Sequence, residues 1–225
     1  VAYGTSTPEL AVSVKSAWIG QSDIAIGNVV GSNICNVLLI LGACALAYPL
    51  KVNVQLVRLD VPIMIAASLL LPVMGYNGQI GRMEGTVLVG CRGGYNVFVV
   101  RKGRQESRAV KEAYASEFAG HGKVTARDIT INLAIVAAGL VLLVVGARLF
   151  VNSAVVIAHA FGMSELVIGL TIVAIGTSLP EAATSLVATI RGERDIAIGN
   201  VVGSNIYNVL AVLGATCIVK PVHIP

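Results

Sequence analysis

Residues 1–43 of this chain recur as residues 173–215 at a constant offset of 172, without a gap, and 28 of the 43 pairs are identical. The centre of the match is unbroken: the twelve residues Asp23–Ile34 return as Asp195–Ile206, and Gly4-Thr-Ser-Thr-Pro-Glu9 returns as Gly176-Thr-Ser-Leu-Pro-Glu181. A repeat at one long, fixed separation means a single structural unit built twice. What is repeated is unusual for its setting. Gly, Ser, Thr and Asn, with one Pro and one Glu, lie inside otherwise apolar sequence.

That setting is a membrane. The chain is 56% hydrophobic and only 12% charged, against about a quarter charged for a soluble domain. The expected class is therefore an all-α, polytopic membrane protein. The net charge of +4 reflects which loops carry Lys and Arg and calls for no nucleic acid. Cys35, Cys44, Cys91 and Cys217 lie in apolar stretches without paired spacing, and are expected to be buried thiols rather than a disulfide framework or a metal site.

Seven helices are expected, at about Thr5–Ile19, Asp23–Tyr48, Val57–Met74, Met83–Val100, Asp128–Phe161, Glu165–Ile190 and Asp195–Val219. The fifth is too long for an upright span, so tilt or a bend is expected. The fourth is the difficult one, because Arg92 stands near its centre. A central Arg costs about 2.5–3.5 kcal/mol, and the seven large apolar residues around it return roughly 3 in sum. That balance is close to zero. The expected role of Arg92 is a tolerated, snorkelling cation without function.

If the fourth helix spans, five steps separate the first helix from the sixth. The two copies then cross in opposite senses, as an inverted-topology repeat with a site near the midplane. The expected fold is therefore two inverted-topology repeats; only a fourth helix that failed to span would make the copies parallel. The expected organisation is a first membrane half at 1–100, a loop at 101–127 and a second half at 128–225. With the loop cytoplasmic, one side holds eleven basic residues and the other holds Lys15, Arg82 and Lys220, in keeping with the positive-inside rule. Completing the mirror would add roughly 40 residues in front and 50 behind, making about ten helices. The chain is thus expected to be a piece of a longer protein.

Glu9 and Glu181 are the two acids placed well inside spans. An intramembrane carboxylate is costly and marks a functional site by default. The bland alternative is a neutral acid bonded to a neighbour. Thr5 and Ser6 precede Glu9 by four and three residues and share its helix face, as Thr177 and Ser178 do for Glu181. Pro8 and Pro180 disturb the turn before each Glu, and are expected to free carbonyls around Ala2 and Ala174. Asn28, Ser32 and Asn36, and likewise Asn200, Ser204 and Asn208, step by four along one face. Hydroxyls, amides, carbonyls and carboxylates are hard oxygen donors, suited to Ca2+ or Na+ and not to a transition metal. Gly27, Gly31, Gly199 and Gly203 form small-xxx-small pairs expected to bring helices close. Asp23 and Asp195 are expected to cap their helices.

These two motifs, present twice, resemble the α-repeats of the sodium/calcium exchanger family, most of all its small prokaryotic members. The resemblance implies Glu9 and Glu181 as central Ca2+ ligands. It also implies ion contacts from Thr5, Ser6, Ser32, Asn36, Thr177, Ser178, Ser204 and Asn208 and from the carbonyls of Ala2 and Ala174. Some relatives carry Asp where Asn208 stands, so two formal charges are expected here, balancing one Ca2+. The implied activity is Ca2+/Na+ antiport by alternating access in a prokaryotic inner membrane. The expected partners are lipid and the two transported ions, with no cofactor, nucleic acid or obligate protein partner. A H+/Ca2+ antiporter that carries protons on the same two Glu is the alternative. No Gly-x-Ser-x-Gly or His-Glu-x-x-His pattern supports an enzyme, and a passive channel has no need of two buried Glu.

Overall fold

The structure is a computed structural model that describes residues 2–50, 52, 56–105 and 126–224. The first repeat opens with two short helices, α1 (Ala2–Thr5) and α2 (Thr7–Trp18), broken at Ser6. It continues in α3 (Ser22–Ala47), α4 (Leu56–Met74) and α5 (Arg82–Gln105). The long α6 (Ala126–Ala160) leads to a second broken pair, α7 (Glu165–Thr177) and α8 (Leu179–Ile190), bent by 44° at Ser178. The last helix is α9 (Arg194–Val219). The loop expected at 101–127 lies in large part outside the described residues.

The two breaks have the same local cause. Ser6 (φ −84°, ψ 14°) and Ser178 (φ −84°, ψ 4°) leave the helical region two residues before a proline. The missing N–H of Pro8 and Pro180 removes the bonds to the carbonyls of Gly4 and Gly176, four residues back. The carbonyls of Ala2 and Ala174 are therefore not the freed ones. They still accept from the N–H groups of Ser6 (3.0 Å) and Ser178 (3.1 Å), and also from the hydroxyls of Thr5 (3.4 Å) and Thr177 (3.3 Å).

Contacts at the two ends establish that the repeats are inverted. The α2–α3 turn, at Gly20, reaches the Nζ of Lys220 just after α9. The α8–α9 turn, at Arg194, lies 4.7 Å from the ring of Tyr48 just after α3. So α3 begins where α9 ends, and α9 begins where α3 ends. A short antiparallel ladder at the first of these ends pairs β1 (Gln79–Ile80) with β2 (Val222–His223), Gln79 opposite His223. From there α5 packs along the second half of α9. Gly85 meets Gly214 near its start and Arg92 meets Tyr207 midway, while beyond that Val100 and Asp195 line the two walls of an open cleft. At 24 residues the helix is roughly 36 Å long, enough to cross about 30 Å of hydrocarbon. Hydropathy alone does not count α5 as a span; packing against α9 is what carries it across.

The core is the second repeat's own helix. Val201, Ile206, Val209, Val212 and Leu213 of α9 are fully enclosed, together with Val29 of α3. At the other extreme, α6 turns Leu133, Leu142 and Val156 outward to lipid. Its 35 residues form one uninterrupted helix. Its inward side touches both broken pairs, Leu140 against Gly4 and Phe150 with Val151 against Gly176.

Several expectations change. Arg92 does not snorkel: it is 7% exposed and enclosed by tyrosines, because aromatic faces stand in for water around its guanidinium. Cys91 is exposed while Cys35, Cys44 and Cys217 are buried, all as free thiols. Asp23 and Asp195 make no side-chain cap, since the helices start one residue earlier, at Ser22 and Arg194. Both acids sit in the first turn, where they complement the helix dipole. The glycines divide. A Cβ on Gly27 would lie 3.0 Å from the Leu170 nitrogen and one on Gly31 2.7 Å from the Ala174 Cβ, so α3 and α7 touch backbone to backbone. Gly203 and Gly199 have 3.4 Å and 4.0 Å of clearance, because no described helix packs as closely on that face.

Candidate cation site

The breaks at Ser6 and Ser178 bring the two repeats' polar residues to one enclosed place. Glu9, Glu181, Ser6, Ser32, Ser204, Asn36 and Asn208 are fully buried, and Thr5, Thr177 and Ser178 nearly so. The bonding crosses between repeats. Ser6 Oγ donates to Glu181 Oε1 at 2.6 Å, and Ser178 Oγ donates to Glu9 Oε1 at 3.1 Å. Ser204 Oγ adds a 3.4 Å bond to Glu181 Oε1, and Ser32 Oγ lies 3.4 Å from the Ala174 carbonyl it donates to. Each carboxylate is thus held by a hydroxyl of the other copy, on the serine at that copy's break.

A second layer holds the helices that carry the Glu residues. Asn28 Nδ2 donates to Ser13 Oγ (2.9 Å) and to the Glu9 carbonyl (3.2 Å); Asn200 Nδ2 does the same to Ser185 Oγ (3.0 Å) and the Glu181 carbonyl (3.5 Å). The symmetry then breaks. Thr177 Oγ1 donates to Asn28 Oδ1 at 2.9 Å, whereas Asn200 Oδ1 has no partner.

Two residues outside the i, i+4 stripe complete the arrangement: Asn33 and Asn205. Asn205 Nδ2 donates to the Asn33 carbonyl at 3.3 Å, and Asn33 Nδ2 to the Asn205 carbonyl at 3.4 Å. A backbone carbonyl only accepts, so both amide NH2 groups are committed to it. Their Oδ1 atoms must then accept, and do, from Asn36 Nδ2 (2.9 Å) and Asn208 Nδ2 (3.1 Å). That leaves the Oδ1 of Asn36 and of Asn208 facing away, buried and without partner. Stepping by four along one face could not reveal this pair. The available signal was that both Asn belong to the perfectly repeated Gly-Ser-Asn-Ile.

Glu9 Oε2 and Glu181 Oε2 are likewise buried without a partner. With Asn36, Asn208 and Asn200 this makes five enclosed oxygen acceptors that lack donors, next to two carboxylates. Unsatisfied buried acceptors are rare because each carries a desolvation penalty. Acceptors of this kind are satisfied by a cation or by ordered water. The donors gathered here are carboxylate, hydroxyl, amide and carbonyl oxygens, a set suited to hard ions.

The sequence profile of the sodium/calcium exchanger protein family matches residues 1–101 and 131–225. The chain belongs to this family. It is 38% identical over 223 residues to the inner membrane protein YrbG of Escherichia coli, covering 98% of this chain and 68% of that protein. It is 32% identical over 265 residues to the sodium/calcium exchanger MaX1 of Methanosarcina acetivorans, covering 100% of this chain and 73% of that one. The fold is similar to that of the sodium-calcium exchanger NCX_Mj soaked with 2.5 mM Na+ and 0.1 mM Ca2+. The TM-score is 0.76 at 32% identity, over 99% of this chain and 69% of the other. Family membership makes the chain an integral membrane component of a cation/Ca2+ antiporter, not an enzyme.

Proposed function

We propose that the chain is the ion-binding core of a Ca2+/Na+ antiporter of a prokaryotic inner membrane, organised as halves at 1–100 and 128–225 around a cytoplasmic loop at 101–127. The proposed ligands are Glu9 and Glu181, the hydroxyls of Thr5, Ser6, Ser32, Thr177, Ser178 and Ser204, the amide oxygens of Asn36 and Asn208, and the carbonyls of Ala2 and Ala174, whose hydroxyl donors would turn toward other acceptors when an ion binds. The observation that carries the reading is the set of orphaned oxygens around two carboxylates supplied by opposite repeats. The eleven basic residues on the loop's side support the orientation, and the name of the Escherichia coli relative supports the inner membrane.

The coupling follows from charge. Two carboxylates balance one dehydrated Ca2+ or two Na+. Left empty, they form a buried dianion that is too costly to carry through a low-dielectric interior. The transition between the two access states therefore proceeds loaded, and the ion that loads it differs by side. Helix α6 is the proposed moving element, since it lies in lipid and grips both broken pairs at Gly4 and Gly176. Hydroxyls beside each Glu favour Na+ over H+ as the partner ion, because proton coupling needs no such ligands.

The test is 45Ca2+ uptake by the intact protein in proteoliposomes under an imposed Na+ gradient or an imposed pH gradient. Uptake is expected with Na+ and at background level with pH alone. Uptake driven by pH in the absence of Na+ overturns the Na+ assignment. In the same assay, Asn33→Ala and Asn205→Ala are expected to raise half-saturating Ca2+ by about tenfold, since each lets an Asn36 or Asn208 amide rotate away at the cost of about one buried hydrogen bond. Unchanged half-saturation in both would remove the asparagines from the ligand-orienting role.

A further inference from the structure

Arg92 lies midway along α5, is 7% exposed, and has Nε and Nη1 without hydrogen-bond partners. What surrounds it instead is aromatic. Its Cζ lies 4.7 Å from the ring centroid of Tyr3, 5.1 Å from that of Tyr207 and 5.5 Å from that of Tyr95. Tyr3 and Tyr207 also meet edge to face, 5.0 Å apart. Two hydrogen bonds fix the outer rings: Tyr3 Oη donates to Asn96 Oδ1 (2.7 Å), and Tyr95 Oη donates to Asp60 Oδ1 (3.0 Å). A guanidinium taken from water without an anion is held by the ring faces around it.

Tyr3 and Tyr207 stand next to residues of the cation site. Tyr3 directly follows Ala2, and Tyr207 directly precedes Asn208. Both are places where the repeat is not kept. The partner of Tyr3 in the other copy is Ile175, and the partner of Tyr207 is Cys35. Aromatic residues thus flank the site on one side of its pseudo-twofold axis, where α5 brings Arg92, and not on the other.

We propose that Arg92 is a positioning residue of the cation site. By clasping Tyr3 and Tyr207 it sets the Ala2 carbonyl in the first repeat and the Asn208 amide in the second, and makes the two sides of an otherwise symmetric site unequal. The inference rests on the cation-site reading above. A merely structural Arg92 would pin α5 and affect stability alone.

Two readouts on the intact protein separate these roles: Ca2+-dependent thermal stabilisation in detergent, which needs no transport, and Na+-driven 45Ca2+ uptake. Arg92→Gln and Tyr3→Ile are each expected to raise the half-effective Ca2+ concentration about tenfold in both, the factor expected when a buried guanidinium loses a cation–π contact. Arg92→Lys keeps a cation among the rings and is expected to stay within about threefold of the native value. Tyr3→Ile guards against misfolding, because the other repeat carries Ile at this position. Half-effective Ca2+ within about twofold of native for both Arg92→Gln and Tyr3→Ile, with lowered stability or lowered maximal rate, overturns the proposal. Native protein that is stabilised by Ca2+ but shows no Na+-driven uptake overturns the exchange reading alone, and the binding midpoints still decide the clasp. Native protein that Ca2+ does not stabilise overturns both.

Discussion

Glu9→Gln and Glu181→Gln each reduce Ca2+ exchange by on the order of 100-fold or more, as expected when one charge is removed from a buried charge cluster at a cost of about 3–5 kcal/mol. Gln keeps the shape of Glu and can still accept a hydroxyl bond from Ser178 or Ser6 at the atom that replaces Oε1. What it loses is charge, and it places an NH2 donor among acceptors that already lack donors: the amide oxygens of Asn36, Asn208 and Asn200. A single remaining carboxylate does not neutralise a divalent ion. The measurement is 45Ca2+ uptake by the intact protein in proteoliposomes, with thermal unfolding in detergent as a check on the fold. If both Gln variants exchange Ca2+ at near-native rate, the two Glu are neutral structural acids and the cation site lies elsewhere.

Gly31→Ala has the next largest effect, and its repeat mate Gly203→Ala does not share it. A methyl group on Gly31 would lie 2.7 Å from the Ala174 Cβ and overlap the Leu170 carbonyl oxygen. Those atoms belong to helix α7, which cannot yield as a flexible side chain can. Overpacking of this kind costs about 1–3 kcal/mol, and moving α7 shifts the Ala174 carbonyl proposed as a ligand. A methyl on Gly203 meets the Ala2 Cβ at 3.4 Å, an ordinary contact, and Ala in a helix is worth up to about 1 kcal/mol over Gly. Melting curves with and without Ca2+ should therefore show Gly31→Ala several degrees lower and less responsive to Ca2+, and Gly203→Ala near native. Equal losses in the two variants would mean that α3 and α9 are gripped alike, contrary to the packing.

Much of the site was legible because the repeat is a constraint of its own. Two copies of Gly-Thr-Ser-x-Pro-Glu in apolar sequence imply paired acids in a low-dielectric interior, and hydroxyls three and four residues away share their helix face. The proline breaks were legible for the same local reason. Their consequence was misplaced by one half-turn: the lost bonds belong to Gly4 and Gly176, while Ala2 and Ala174 keep theirs. The caps expected at Asp23 and Asp195 failed because the helices begin one residue earlier, at Ser22 and Arg194, which places both acids in the first turn. Cys91 turned out exposed because an apolar neighbourhood in a membrane chain describes lipid as well as core.

The sequence by itself determined that one unit is built twice in a membrane, that each copy breaks beside an acid, and that the donors are hard oxygens. Those properties follow from local composition and helix periodicity, which a linear chain displays directly. The odd number of passes already pointed to copies running in opposite senses; only the tertiary structure decided that each Glu is held by the other copy's Ser, that Asn33 and Asn205 aim Asn36 and Asn208, and that Arg92 lies among three tyrosine rings. Each of these joins residues roughly 90 to 200 positions apart or depends on which way an amide turns. Such relations are set by helices packing against each other, where burial forces every polar atom to find a partner or a cation.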